Sequence, residues 1–339
     1  MTGRSTDCAD RPNISVVVCS RNPRPDYLRR VLEALRQQTL SKDRWELLVV
    51  DNASDDPLDA RIDLSWHPRG RCVREVTCGL TPARVRGIVE SRANLLAFID
   101  DDNVAEPDFL EEALRTIARN PDLGAFGPGR LEPEFEVQPT AMIRPYVRML
   151  AIRSTSEALY STDVEDQRAI PWGAGLIVRR AVAEAWLSLI EQLDMTAMLG
   201  RTGDRLFSGE DDLFSSAAVS TGMAFGIFPD LRVTHLIAGP RVSKRYLVML
   251  AHDHALSHGI LRYKLRGLRP TSMTAMRYVR VGLHGLRNGR FSMRMQWAAL
   301  RGESDAARIV LERRLRPIGA TDAASGGSTA ELLEAKQHS

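Results

Sequence analysis

Three consecutive carboxylates, Asp100, Asp101 and Asp102, end an apolar run that begins at Leu95. Adjacent like charges raise one another's pKa, and nothing in residues 95–99 can neutralise them. A divalent cation is the usual remedy, since it is the largest local charge in any site that holds one. On an extended backbone residues two apart share a face, so Asp100 and Asp102 are expected to point one way and Asp101 the other. A hard cation held by one or two carboxylates and completed by substrate phosphates suits such a pair, with Mg2+ or Mn2+ as the candidates. The same residues also fit a solvated strand end or a helix cap leading into residues 103–107.

With 339 residues the chain can bury a full-sized core. Its charge is unevenly spread: residues 241–316 hold 17 Lys/Arg against 4 Asp/Glu, so the first 240 residues are net acidic although the whole carries +3. Cys8, Cys19, Cys72 and Cys78 have neither metal spacing nor disulfide density, a pattern suited to a reducing cytoplasm. Residues 1–11 are polar and charged, which predicts no signal peptide. No apolar run approaches the length needed to span a bilayer.

The elements that would position the carboxylates alternate. Residues 14–19 and 45–50 read as buried strands from their β-branched and apolar runs, 74–78 as a third strand and 94–99 as a fourth. Helical spacing covers 27–38, 81–91 and 109–117. This alternation predicts an α/β fold, a parallel sheet with helices on both faces. Ligands of such sheets bind beyond the carboxyl ends of the strands, where Ser20, Asp51 and Asp100 all fall. Residues 132–166 read as an irregular connection with one helix near 141–152. Residues 170–178 read as a strand with a Gly-rich entry, 180–192 and 208–219 as helices, 224–228 and 232–235 as short strands. Beyond Ser243 the chain is helical and basic, and its last residues form a polar, small-residue tail.

Two nucleotide folds lack their phosphate cradles here: no Gly-x-Gly-x-x-Gly follows the first strand, and no Gly-x-x-x-x-Gly-Lys-Ser/Thr occurs. A nucleotide diphosphate would then need a metal. The segments 16–22, 35–39, 46–55, 79–87 and 98–102, followed by Gly209-Glu210-Asp211-Asp212 and Val233-Thr234-His235, together resemble family 2 glycosyltransferases of GT-A fold. The resemblance runs from about residue 14 to 235 and departs at Val85, where an Asn is common. It implies a GT-A-type nucleotide-binding domain over 13–240; charge and composition add an extension at 1–12, a basic helical region at 241–316 and an expected disordered tail at 317–339.

Carried over by position, the resemblance implies that Asp51 contacts the nucleotide base and that Ser20 and Asn22 line the same pocket. Arg84 would contact the base or diphosphate. Asp100 would hold the ribose or metal-bound water with Asp101 beside it, Asp102 would ligate the metal, and His235 would complete the metal site. Asp211 would be the catalytic base, with Glu210 and Asp212 as the neighbouring alternatives. Trp172 and Gly173 either shape the sugar pocket or pack in the core. The acidic triplet also reads as an N-terminal cluster favoured by a helix dipole. His252, His254 and His258 tempt a second metal site, but only His254 and His258 share a helix face.

The chemistry implied is metal-dependent, inverting transfer of one sugar from a nucleotide-diphosphate donor to a hydroxyl acceptor, a saccharide or a lipid-linked one, in glycoconjugate synthesis. A carboxylate base activates the acceptor and a cation stabilises the leaving diphosphate. A sugar-nucleotide nucleotidyltransferase is the alternative enzyme, but it needs a Gly-rich, Lys-containing loop that residues 20–25 do not offer. A non-catalytic nucleotide-sugar-binding or membrane-associated protein is the alternative from another class. The basic region 244–316 fits either peripheral contact with the inner face of a membrane or helices packed on the catalytic domain. No recognition motif argues for nucleic acid.

Overall fold

The computed structural model describes residues 11–193, 201–202, 205–206, 209–272 and 274–318. Residues 1–10 of the expected N-terminal extension and 319–339 of the expected tail lie outside the described residues. A ten-stranded sheet dominates the chain. Strands β1 (Ile14–Ser20), β2 (Trp45–Asn52), β3 (Gly70–Glu75) and β4 (Leu95–Asp100) run parallel in the order β3-β2-β1-β4. β1 and β2 are apolar almost throughout because helices cover both of their faces. Val16 and Val18 pack against α1 (Pro25–Arg36) and α3 (Phe109–Arg119), whereas Val17 packs on the other side with α2 (Leu80–Glu90), α4 (Arg180–Leu193) and α5 (Glu210–Ser220). On that second side Trp186 stacks on Phe214, centroids 4.5 Å apart.

The expected parallel arrangement holds over these four strands, and beyond them the sheet is mixed. Beyond β4 the order continues through β9 (Leu176–Arg179), β6 (Leu123–Phe135), β12 (Ala224–Ile237) and β5 (Asn103–Ala105). β9 is antiparallel to both β4 and β6. A parallel connection needs a crossover element, usually a helix. Between Phe135 and Leu176 there is only a 3-10 turn, Arg144–Leu150, and the short strands β7 (Arg153–Ser154) and β8 (Leu159–Ser161). The chain therefore re-enters the sheet from the carboxyl ends of the parallel strands. A separate two-stranded ribbon is formed by β10 (Arg201–Thr202) and β11 (Arg205–Leu206).

Several boundaries also differ. The third strand is Gly70–Glu75, ahead of the expected 74–78. β6 extends to Phe135, into the segment read as irregular. The two short strands expected at 224–235 are one strand, its register shifting between Phe228 and Arg232 where Pro229 interrupts the ladder.

The helices α6 (Lys244–Arg266) and α7 (Ala275–Glu312) complete the fold as a basic helical region. α7 breaks at Gly289, whose φ of 87° and ψ of 164° leave the helical region. Its two halves fold back on each other, since Tyr278 meets Trp297 edge-on at 4.8 Å and Arg277 pairs with Glu303 at 3.0 Å. Among the described residues no helix is long and apolar enough to cross a membrane.

Candidate active site

The chain departs from β1 towards β2 on one side and reaches β4 on the other, so the switch point of the sheet lies between β1 and β4. A cleft of about 370 Å³ opens there, beyond the carboxyl ends, where Cys19 pairs in register with Asp100. Ser20, Arg84, Asp100, Asp101, Asp102, Trp172, Gly173, Asp211 and His235 all line it.

Asp101 enters the cleft beside Asp100, in line with the resemblance but not with simple strand alternation. β4 ends at Asp100 and the chain turns at Asp101–Asp102, so strand alternation no longer applies. Ser20 Oγ donates to Asp101 Oδ2 at 2.5 Å. After the turn, β5 pairs antiparallel with β12 and sets Asn103 opposite His235. That register brings Asp102 and His235 together from residues 133 positions apart, with His235 Nε2 3.3 Å from Asp102 Oδ2. Asn103 Nδ2 donates to the other oxygen of Asp102 at 2.9 Å.

Arg84 comes from α2, which lies close on β1: a Cβ at Gly87 would meet Val17 Cγ1 at 2.4 Å. Its guanidinium is 2% exposed and lies 4.0 Å from Asp100 Oδ1 and 3.7 Å from Asp211 Oδ1. These separations are long for hydrogen bonds, but in a poorly solvated cleft they place a fixed positive charge between two carboxylates. Because β9 is antiparallel, its N-terminal entry meets the carboxyl end of β4, and this puts Trp172 and Gly173 in the cleft. A Cβ on Gly173 would sit 2.5 Å from Arg84 Nη2 and 3.0 Å from Asp211 Oδ1, so a larger residue there would shift the two charged groups. The expected strand over 170–178 is confined to Leu176–Arg179, since Gly175 turns the chain at φ +78°.

Asp211 lies in the first turn of α5, beside the positive end of the helix dipole. Gly209 precedes it at φ +107°, where a Cβ would strike Leu261 Cδ1. Glu210 opens the helix, and its side chain lies outside the described residues. Asp212 is not a wall of the cleft: burial, with the charge of Asp211 adding to it, pushes its carboxyl up to about 7. In the unfolded chain that carboxyl ionises near its ordinary 3.8, while in the fold it stays protonated to near neutrality. The folded state then binds the extra proton, and this group's contribution to stability falls as pH rises from about 4 to about 7. Asp212→Asn is expected to remove that decline, gaining on the order of 2 kcal/mol on the wild type between pH 5 and pH 8. Urea unfolding at both pH values measures it, and a constant difference between the two proteins would contradict the assignment.

Two expected residues lie elsewhere. Asp51 is 2% exposed and is not a wall of the cleft. Its carboxylate accepts from Ser54 N at 3.0 Å, Leu58 N at 3.3 Å and Arg74 Nη1 at 2.7 Å, and so ties down the loop after β2. Its neighbour Asn52 lines the cleft instead, accepting from Gly79 N and donating to Thr77 O, each at 2.7 Å. Asn22, at φ 48°, is bound to Asp55 through both its amide nitrogen and its amide oxygen, and Arg21 takes its place on the wall.

Other wall and support residues, Arg153, His254 and Arg241, are not among those that the sequence points to this cleft. Arg153, beneath the site, stacks on Trp172 at 3.6 Å and donates to Ile170 O; burial lowers its guanidinium to about 10, opposed by the charge of Asp211. His254 lines the cleft from α6, where burial holds its imidazole below the ordinary value. His252 is engaged instead by Asp253 at 2.8 Å and Asp305 at 3.0 Å, away from His254. Arg241, on the 3-10 turn Gly239–Val242 after β12, sets Nη1 2.7 Å from Asp102 Oδ2 and 3.1 Å from His235 Nε2.

His235 Nε2 faces both an acceptor, Asp102 Oδ2, and a donor, Arg241 Nη1; towards the arginine it presents its lone pair, with the ring proton on Nδ1. That is the tautomer that ligates a metal through Nε2. The two candidate ligand atoms lie close to the roughly 3 Å edge of an octahedron with bonds of about 2.1 Å. Among the described residues no group of three or more His, Cys, Asp or Glu converges on a metal position. Two protein ligands are the number expected where phosphates and water fill the remaining shell. The residues present fit such an ion.

The family model described as Glycosyl transferase family 2 matches residues 15–184, from β1 into α4. EpsH of Bacillus subtilis (strain 168) is 34% identical over 116 residues, 34% of this chain and 33% of that protein. Glycosyltransferase AglE of Haloferax volcanii is 29% identical over 110 residues, 32% of this chain and 36% of that protein. The matched segment thus spans about a third of the length of these relatives. Among solved structures, the mannosyltransferase PcManGT from Pyrobaculum calidifontis, in complex with GDP-Man and Mn2+, aligns over 96% of this chain and 79% of its own at 18% identity and a TM-score of 0.49. With half of its length matched by the family model, the chain belongs to glycosyl transferase family 2.

Proposed function

We propose that this glycosyltransferase is metal-dependent and inverting, and that it moves one sugar from a nucleotide-diphosphate donor to a hydroxyl acceptor. The convergence of Asp211, Arg84, Asp102 and His235 on one cleft at the switch point of the sheet carries this reading. Bound to Asp102 and His235, Mg2+ or Mn2+ would supply Lewis-acid stabilisation of the leaving diphosphate. Asp211 accepts the proton of the acceptor hydroxyl as that oxygen approaches the anomeric carbon. A single displacement with one base inverts the configuration there. Asp212, protonated to near neutrality and outside the cleft, is the poorer base. Arg84 holds Asp211 in place through charge and faces the donor side of the cleft with Asp100 and Asp101. Trp172, backed by Arg153, offers an aromatic wall to the sugar, and Ser20, Arg21 and Asn52 border the nucleotide.

We assign the catalytic unit to 13–240 and a helical accessory region to 241–316. Cys19, Cys72 and Cys78, which form no disulfide, suit a cytoplasmic setting, and the basic helices suit peripheral contact with the inner face of a membrane, beside a saccharide or lipid-linked acceptor. The test is a panel of UDP-, GDP- and dTDP-sugars assayed for slow donor hydrolysis with Mn2+ and with chelator. Hydrolysis of one donor that stops on chelation is expected. Hydrolysis indifferent to chelation would remove the metal from the mechanism.

A further inference from the structure

We infer that the first half of α7 and the groove beside it form a docking surface for an anionic phospholipid bilayer. This deepens the peripheral contact proposed above and rests on it, but gives it a face and named residues. Residues 275–290 hold four arginines and no acid. The inner side of this half-helix is partly covered, with Val281 buried and the half-exposed Tyr278 set against Trp297. Its outer side is not: Met276 is 80% exposed, Val279 60% and Leu283 63%. These three follow helical spacing and share a face with the exposed Arg280 and Arg287. Single exposed apolar residues are ordinary. Three on one stripe, interleaved with arginines, are the pattern of a helix lying in a membrane interface.

A groove of about 650 Å³ lies beside this half-helix, between α6 and the second half of α7. Arg245, Arg294 and Arg301 ring it, and Met249 and Trp297 form part of its floor. Trp297 is the residue that Tyr278 touches, so the groove meets this half-helix on its Tyr278 side. The acids nearest the groove, Asp253 and Asp305, are engaged by His252 and Arg308. Cationic rims over an apolar floor suit a phosphate-bearing headgroup with the start of its acyl chains. α6 turns Leu250 and His254 to the catalytic cleft and Arg245, Met249 and His252 to the groove. A docked bilayer would therefore lie one helix away from the site of transfer.

The charge pattern also selects the occupant. A two-fold contact with a second copy would set this patch on itself, arginine against arginine with no acid from the stripe to answer. Nucleic acid would leave Met276, Val279 and Leu283 without a partner. An anionic bilayer answers both the charge and the apolar stripe.

The full-length protein is co-sedimented with phosphatidylcholine vesicles, with or without about a quarter phosphatidylglycerol, in about 0.1 M and about 0.5 M salt. Binding is expected only to the anionic vesicles, and weaker in high salt. Each arginine near such a surface contributes about fivefold in partitioning, so Arg280→Glu with Arg287→Glu should weaken binding at least tenfold. Met276→Asp with Leu283→Asp should do the same, and both double variants should keep the wild-type unfolding temperature, since the altered side chains are exposed. Wild-type binding that neither double variant weakens would overturn this face while leaving membrane contact intact. No wild-type binding to either vesicle would overturn the wider membrane reading with it. Self-association that Met276→Asp/Leu283→Asp abolishes, without vesicle binding, would give the stripe to a second copy and overturn the proposal.

Discussion

Asp211→Asn is expected to bind its nucleotide-sugar donor with unchanged affinity and to transfer the sugar about 10²–10⁴-fold more slowly, the ordinary contribution of a positioned general base. Asparagine keeps the shape of the side chain and its place in the first turn of α5, so Gly173 and Arg84 need not move. What it removes is the proton acceptor. Calorimetry with the donor and single-turnover transfer to the acceptor separate the two effects. Asp212→Asn serves as the paired control: it sits outside the cleft and is already protonated to near neutrality, so its turnover should stay close to wild type. Transfer retained in Asp211→Asn and lost in Asp212→Asn would reverse the assignment. Weakened donor binding in Asp211→Asn would instead make the carboxylate a counter-ion for Arg84, 3.7 Å away, rather than a base.

The features legible in the sequence are those that local chemistry determines. A buried strand that runs into carboxylates places those groups at a carboxyl end, and the alternation of strands and helices locates the cleft. Directions were harder to read. Asp101 was assigned by strand alternation to the face opposite Asp100, but alternation stops where the strand stops, and the turn returns Asp101 to the cleft beside Ser20. β9 is four residues long, and a strand so short carries no signal of its direction, so the reason for Trp172 entering the site stayed hidden. Asp51 had a local signal that was available: Ser54 three residues on is the spacing of a side chain capping its own loop, and Asp51 Oδ1 accepts from Ser54 N. Arg241 was unreadable for another reason. It begins a long basic stretch and looks like part of it, and only the turn Gly239–Val242 bends it back onto Asp102.

That placement of Arg241 leads to opposite expectations for two substitutions. Its Nη1 occupies the point at which Asp102 Oδ2 and His235 Nε2 both aim, 2.7 and 3.1 Å away. A divalent ion bound to the same atoms at about 2.1 Å cannot share that position with a guanidinium. Without nucleotide, ion binding must first displace a charge-assisted hydrogen bond in a mostly buried setting. Arg241→Met keeps the bulk of the side chain and removes the competing cation, so Mn2+ alone should bind about tenfold or more tightly, for a loss of about 1.4 kcal/mol or more of competition. Asp102→Asn keeps the size of the residue and removes the charge that either cation needs, so Mn2+ binding should fall below detection and metal-dependent donor binding with it. Electron paramagnetic resonance of free Mn2+ measures both without any turnover. Equal Mn2+ affinity in Arg241→Met and wild type would mean that the arginine is no competitor. Undiminished affinity in Asp102→Asn would place the ion elsewhere, because a carboxylate in its shell cannot become an amide at no cost to a hard cation.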